Sequence, residues 1–431
     1  MERHGDGGQI MKSQFSSIML SEIASIYSGF AFKSNDLSKD GIPVIKIANI
    51  QNKKVQKHCN DFLPENLCNQ KFQKYFLNED DVLIAMTGAG SVGKMGKMRR
   101  VDRKYLVNQR VAIVRTNPQI ADPEYVYQTL SDDSYEKILY GLGLGAGQPN
   151  VSPSEIGSLD IPFPPLPTQH KIAAILSAYD NLIENNTRRI QILEEMAQAL
   201  YREWFVEFRF PGHEKVKMVE SELGMVPEEW EVKKLGELYR TSSGGTPSRK
   251  IAEYYGGTIN WVKTKELNDN FLFKTEEKIT DVGLQKSSAK IFPENTVIMA
   301  MYGATIGKLA ILSQPAATNQ ACCAIIKIDD LFQHHYIFSF LLVNREKIFS
   351  LGAGAAQQNI SQTVIQKMKI LKPSDKIMKM FTEFVAPNFE HIKLLQLKND
   401  NLRSTRDMLL PNLISGEVGV DNFNINIGRN R

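Results

Sequence analysis

The sequence predicts a duplicated α+β fold, with two similar globular modules that are each followed by a long helix. The first sign is repetition. IPVIKIANI (42–50), DDVLIAMTGAGSVGK (80–94), NQRVAIV (108–114), YVYQTL (125–130) and GAGQPNVS (145–152) appear in the first half. INWVKTKEL (259–267), ENTVIMAMYGATIGK (294–308), NQACCAII (319–326), YIFSFL (336–341) and GAAQQNIS (354–361) answer them in the same order. A period of about two hundred residues is far longer than a solenoid unit, so a whole domain is duplicated. The second sign is a heptad seam at Ile172, Leu176, Tyr179, Ile183, Asn186, Ile190, Leu193, Ala197, Leu200 and Trp204, apolar at every position but Asn186. Such a run predicts a coiled-coil helix. The third sign lies inside the modules, where short β-branched runs (VIKIANI, VLIAM, VAIV) alternate with Gly-rich turns and a few helices.

Taken in order, residues 1–12 read as an unstructured lead-in, with Met1 and Met11 both candidate starts. The first module spans 13–167. Pro162, Pro164, Pro165 and Pro167 then punctuate the entry to a helix over 168–208, with Thr168 as its N-cap. That helix is about 60 Å long at about 1.5 Å per residue. A Pro- and Gly-containing linker (209–233) ends in a Trp-anchored turn, and the second module covers 234–373. The second helix, 374–412, repeats the seam 202 positions on: Phe381, Val385, Asn388, Ile392, Leu395 and Leu402. The lone seam asparagine recurs, so Asn186 and Asn388 are read as residues that fix register. Asn399 replaces Ala197 in this copy, and Pro387 predicts a kink or a later effective start. The tail, 413–431, reads as loosely held.

Composition narrows the function classes. A chain of 431 residues holds two or three domains, and 42% hydrophobic with 23% charged residues is ordinary for a soluble protein. The net charge of +4 is compatible with a polyanionic partner. Cys59, Cys68, Cys322 and Cys323 lack CxxC spacing, so they are expected to be reduced thiols and not zinc ligands. No signal peptide or membrane span is visible, and a soluble, cytoplasmic protein is expected.

GAGSVGK (88–94) nearly spells a phosphate-binding loop, but Met95 stands where Ser or Thr would hold magnesium. The second copy, GATIGK (303–308), has one residue fewer between its glycines, so neither loop cradles a triphosphate. Both read as strand–strand turns ending in Lys94 and Lys308. Lys97, Arg99, Arg100, Arg103 and Lys104 follow in the first copy and suit phosphate contact, although a solvated face reads the same way. In the second copy the basic residues fall elsewhere, at Arg249, Lys250, Lys263 and Lys265. A repeated framework with unrepeated polar loops suits two modules that read two sequences. In QPNVS and QQNIS, Ser152 and Ser361 read as helix caps, while Gln148 and Gln358 could reach adenine edges. No catalytic carboxylate pair, nucleophile–His–Asp set, HExxH or Rossmann fingerprint emerges, so no chemistry is expected of the chain itself.

These motifs together resemble the specificity subunit of type I restriction–modification enzymes. The resemblance covers roughly residues 15–416. It is carried by GxVPxxW (Gly224, Val226, Pro227, Trp230), SGGTPS (243–248), the paired VLIAMTGAGSVGK and VIMAMYGATIGK segments, the two NQ pairs, QPNVS and QQNIS, and IPFPPLPTQHKIAAIL (161–176). The first module departs by lacking GxVPxxW and carrying SGFAFKS (28–34), and PPLPTQ becomes LKPSDK (371–376) in the second copy. The resemblance implies two target-recognition domains, each reading half of a split double-stranded DNA site. It further implies an antiparallel coiled coil that sets the spacer and docks two methylation subunits, with restriction–translocase subunits in the full complex. S-adenosylmethionine, ATP and magnesium would then belong to those partners. A paired-helix protein scaffold, or the remnant of an inactive restriction system, is the alternative reading.

Overall fold

A computed structural model describes residues 14–144, 147–352 and 359–420. Two compact units divide the chain: residues 1–183 with 402–431, and residues 184–401. Both long helices cross that division. They are α1 (Leu166–Phe205) and α2 (Asp375–Ser415).

In the first unit, a six-stranded sheet runs in the order Ala24–Ser28, Val111–Thr116, Val82–Ala85, Met95–Lys97, Lys54–Val55, Ile50–Gln51. Val82, Ile84, Ala112 and Val114 form part of one buried cluster, and Leu83, Ala85, Val111 and Ile113 part of another. Burial on both faces explains why these strands read as continuous apolar runs. A smaller sheet places Ile42–Ile45 between Phe62–Leu63 and Leu106–Val107, parallel to the latter. Ile172 and Leu176 of α1 pack with Leu410, Leu413 and Ile414 of α2.

The second unit repeats this plan. Its five-stranded sheet runs Tyr239–Ser243, Cys322–Lys327, Val297–Ala300, Leu309–Leu312, Asn270–Leu272. Tyr255–Val262 pairs in parallel with Ala316–Thr318, as Ile42–Ile45 does with Leu106–Val107. The recurring IPVIKI and INWVKT blocks are thus the same structural strand. The largest core cluster joins Ala197, Tyr201, Trp204 and Phe205 of α1 to Phe381, Val385, Phe389 and Ile392 of α2. Phe381 lies 4.8 Å from Phe205 and Asn186 bonds Asn399, so the helices run antiparallel.

Several boundaries differ from the sequence expectation. Helix α1 opens at Leu166, so Thr168 lies within its first turn and is not the N-cap; the Pro165 carbonyl accepts from the Thr168 and Gln169 amides. Helix α2 runs through Pro387 without a break to Ser415. A proline inside a helix costs about 3 kcal/mol, and burial of Phe381, Val385, Phe389 and Ile392 on both sides of it offsets that cost. The linker carries structure of its own besides its expected Trp-anchored turn. Met218–Ser221 and Gly224–Pro227 form a hairpin, and buried Trp230 stacks on Phe210 at 5.1 Å and meets Phe205 at 5.7 Å. The start of the tail is held too: Val420 is buried with Ile172, and the Gln14 amide donates to the Ser415 carbonyl at 2.7 Å. Residues 1–12 and 421–431 lie outside the described residues. All four cysteines are free thiols, and burial pushes the Cys323 thiol up to about 12.

Candidate nucleic-acid interface

Three recurring blocks converge at one end of the main sheet in each unit. In the first, the Ala85 amide donates to the Lys94 carbonyl (2.8 Å) and the Gly93 amide to the Ala85 carbonyl (3.0 Å), closing the Gly-rich turn. The Met86 amide then reaches the Arg110 carbonyl of the NQR block (3.0 Å). The Val151 amide of QPNVS reaches the Met86 carbonyl (2.8 Å). The second unit matches bond for bond. Ala300 donates to Lys308 (2.9 Å), Gly307 to Ala300 (3.1 Å), Met301 to Ala321 (2.9 Å) and Ile360 to Met301 (2.9 Å). Backbone at φ +83° in Gly93 and +77° in Gly307 favours glycine. Each turn leads into a strand, Met95–Lys97 or Leu309–Leu312, and not into a helix N-terminus. The arrangement that makes such a loop bind nucleotide phosphates is therefore missing.

A fourth block joins them. The Phe30 amide donates to the Val107 carbonyl (2.7 Å) and the Gly245 amide to the Thr318 carbonyl (2.9 Å). The preceding residues, Gly29 and Gly244, press so closely on this chain that an added Cβ would lie 2.3 Å from the Val107 oxygen or 2.0 Å from that of Thr318. Only glycine fits, which explains why SGF and SGG recur when their neighbours differ.

The bonding frame is common to both units, but the exposed side chains on it are not. In the first unit Lys94, Gln109, Arg110, Gln148 and Asn150 are exposed; in the second Thr246, Tyr302, Gln320 and Asn359 are. Lys94 and Arg100 are exposed, with no side-chain bond among the described residues. Arg103 is exposed and lies over Tyr105, 5.6 Å from the ring centre.

Two members of the predicted basic cluster point inward instead. Lys97 is buried and paired with Asp80 at 2.9 Å and with Glu124. Burial opposes its charge, but the two carboxylates hold its ammonium above the ordinary value. Arg99 donates to Asp180 at 2.9 Å and to Asn181 at 3.3 Å, fastening the module to α1. These ion pairs tie both side chains to the fold, and burial leaves Lys97 no exposed charge to offer a phosphate.

In the second unit Lys263 is mostly covered and pairs with Glu276 (2.9 Å) and Glu277 (2.7 Å). Lys265 pairs with Glu276 (2.6 Å) but stays exposed, and Lys308 pairs with Asp269 (3.1 Å). Arg249 pairs with Glu277 and lies over the rings of Tyr255 and Trp261. Its guanidinium and then Lys263 pull the Glu277 carboxyl down to about 2. Gln358 lies outside the described residues. Ser152 and Ser361 do cap short helices, accepting from the Glu155 (3.2 Å) and Val364 (3.3 Å) amides. The pairing has a counterpart in the first module, where Lys46, at the block position of Lys263, pairs with Asp61 at 2.7 Å, at the strand position of Glu277.

The register pair read from the sequence is corrected. The Asn186 amide donates to Oδ1 of Asn399 at 2.9 Å, and Asn399 reaches Thr187 at 3.3 Å. Asn388 is half-buried, and among the described residues its side chain has no hydrogen-bond partner. The antiparallel register that sets Asn186 opposite Asn399 sets Asn388 opposite Ala197, which offers no polar group.

Comparison with known proteins agrees with this architecture. The profile of the type I restriction modification DNA specificity domain matches residues 12–195 and again 227–401. The type I restriction enzyme HindI specificity subunit of Haemophilus influenzae is 26% identical over 80% of this chain and 88% of its own length. The MjaVIII specificity subunit of Methanocaldococcus jannaschii is 24% identical over 98% and 93%. The crystal structure of a type I restriction-modification S subunit from M. genitalium superposes with a TM-score of 0.60 at 14% identity, over 96% of this chain and 98% of that one, a likeness of fold. With two profile matches that each span a module and much of its helix, the chain belongs to the type I restriction modification DNA specificity domain family.

Proposed function

We propose that this chain is the sequence-reading specificity subunit of a type I restriction–modification complex, in which each module reads one half of a bipartite DNA site. The observation that carries this reading is the bonding frame repeated in both units under different exposed side chains. A shared frame presents both surfaces in the same way, and the unlike side chains give each a different preference.

The chain supplies recognition and no reaction of its own. Methylation, with S-adenosylmethionine, and translocation with cleavage, with ATP and magnesium, belong to the partner subunits. The helices provide the docking surface for two copies of one methylation subunit. Three pairs of exposed apolar residues support this, each repeating 202 positions apart: Leu182 and Phe384, Ile192 and Leu394, Val206 and Met408. Apolar side chains kept exposed at matching points of both copies suit two equivalent contacts with one kind of partner.

Binding of the complex with its methylation subunits to duplex DNA, measured across salt concentrations, tests the reading. Affinity should fall steeply as salt rises and should favour one split sequence. A complex that assembles but binds DNA without salt dependence or preference would support the protein-scaffold alternative instead.

A further inference from the structure

Among the polar side chains of the second module, Arg249 stands apart in how it is held. The turn that carries it is fixed from several directions. Trp261 donates its indole N–H to the Gly245 carbonyl at 3.0 Å, the Tyr255 hydroxyl donates to the Pro247 carbonyl at 2.6 Å, and Thr246 bonds Gln320 of the NQ block. The same two aromatic residues then carry the guanidinium, whose carbon lies 4.4 Å from the Tyr255 ring centre and 5.0 Å from that of Trp261. Glu277 accepts from Nη1. Nε and Nη2 have no hydrogen-bond partner among the described residues, and the side chain is 52% exposed. The result is a planar fork held over two fixed rings, with one edge unoccupied.

A cation that merely neutralises a phosphate needs no such fixing, because a point charge on a mobile stem does that equally well. A fixed guanidinium edge matches the adjacent O6 and N7 acceptors that guanine presents in the major groove. The first module does not repeat this platform: Val44 stands at the strand position of Trp261, and a lysine lies over rings elsewhere on the frame. Phe30 occupies the backbone position of Gly245, and Lys71 lies 5.5 Å above its ring and 4.9 Å above that of Phe72. Lysine has no fork, so the two modules differ in the feature that would select guanine.

We infer that Arg249 is a specificity-determining residue that reads one guanine in the half-site of the second module. This deepens the function proposed above and rests on it.

The test uses the full chain in complex with its methylation subunits. Motifs are mapped by methylation for the wild type, Arg249→Ala and Arg249→Lys, and binding is measured to the wild-type site with 7-deazaguanine in place of each guanine in turn. Arg249→Ala should lower discrimination about 10- to 100-fold at one guanine of one half-site. Arg249→Lys should not restore it, and the other half-site should remain unchanged as an internal control of folding. Removing N7 at that guanine should weaken the wild type and leave Arg249→Ala unaffected. The inference is overturned if both variants keep the wild-type motif, if Arg249→Ala weakens binding equally at all sequences, or if lysine restores discrimination. A wild-type complex that yields no split motif would instead sink the proposed function itself.

Discussion

The side-chain amide of Asn186 donates to Oδ1 of Asn399 at 2.9 Å, joining α1 to α2 through a polar contact in a mostly apolar seam. Asn399 is 2% exposed, so it has almost no access to water as an alternative partner. Asn186→Leu or Asn399→Leu alone should cost about 1–3 kcal/mol, because each removes this bond and sets an apolar side chain against the remaining amide. The double variant should recover most of that loss, since a matched apolar pair restores the seam. A double-mutant cycle by thermal or denaturant unfolding checks this, and purely additive losses would refute the coupling.

Lys97 and Arg100 lie three residues apart and should behave in opposite ways. Lys97→Ala strips the partner from Glu124 and Asp80 and should destabilise the first unit by on the order of 3 kcal/mol. Arg100→Ala should leave stability within about 0.5 kcal/mol and reduce the salt slope of DNA binding by about 1. Paired unfolding and salt-titration experiments separate the two, and a reduced salt slope with unaltered stability for Lys97→Ala would contradict its structural role.

The second unit should lose stability in acid. His334 and His335 are both buried, 3.9 Å between ring centres, and among the described residues neither ring nitrogen of His334 nor Nδ1 of His335 has a hydrogen-bond partner. Burial holds His335 down to about 4 and His334 well below its ordinary value. The unfolded chain takes up these protons near pH 6.5 while the folded chain does not, so stability falls as pH drops from about 6.5 toward 4. His335→Leu should flatten that limb; an unchanged limb would refute the assignment.

Glu194 works in the opposite sense. It lines a cavity of about 160 Å³ with Asp269, Phe271, Arg345 and Phe389. Burial, then Asp269 and Glu195, raise its carboxyl to about 7. Its contribution is complete below about pH 4.5 and lost as pH rises through 7. Glu194→Gln should therefore raise Tm at about pH 8 and change little below about pH 4.5. Equal shifts at both would point to packing instead of charge.

Much of this was legible in the sequence, for a physical reason. The repeated blocks encode a backbone frame, and close approaches such as Gly244 on Thr318 and turns such as Gly307 constrain residue type locally. The heptad seam was equally plain, because burial along a helix is periodic. The ion pairs were not. Lys97 meets Glu124 and Arg99 meets Asp180, partners brought near only by the fold. A run of cations therefore looked like one surface when two of its members face inward. The asparagines misled in a related way: repetition in sequence marks equivalent positions, whereas an antiparallel pair sets inequivalent positions, 186 and 399, face to face.

If the helical pair sets the spacer, removing 186–192 together with the facing 393–399 shortens it in register. Seven residues are about 10 Å of helix, or about three base pairs. The methylated motif should keep both half-sites and change only the number of unread positions between them. An altered half-site, or an unchanged spacer in a folded complex, would contradict the ruler role.

The most direct measurement of the central claim is methylome sequencing of cells that carry this chain with its cognate methylation subunit. It should be run beside a version whose second module, 234–373, is exchanged for that of a relative. The account predicts a split adenine-methylated motif in the first and, in the second, the same motif with one half replaced. Replacement of both halves, or a folded and assembled complex that leaves no split motif, would contradict it.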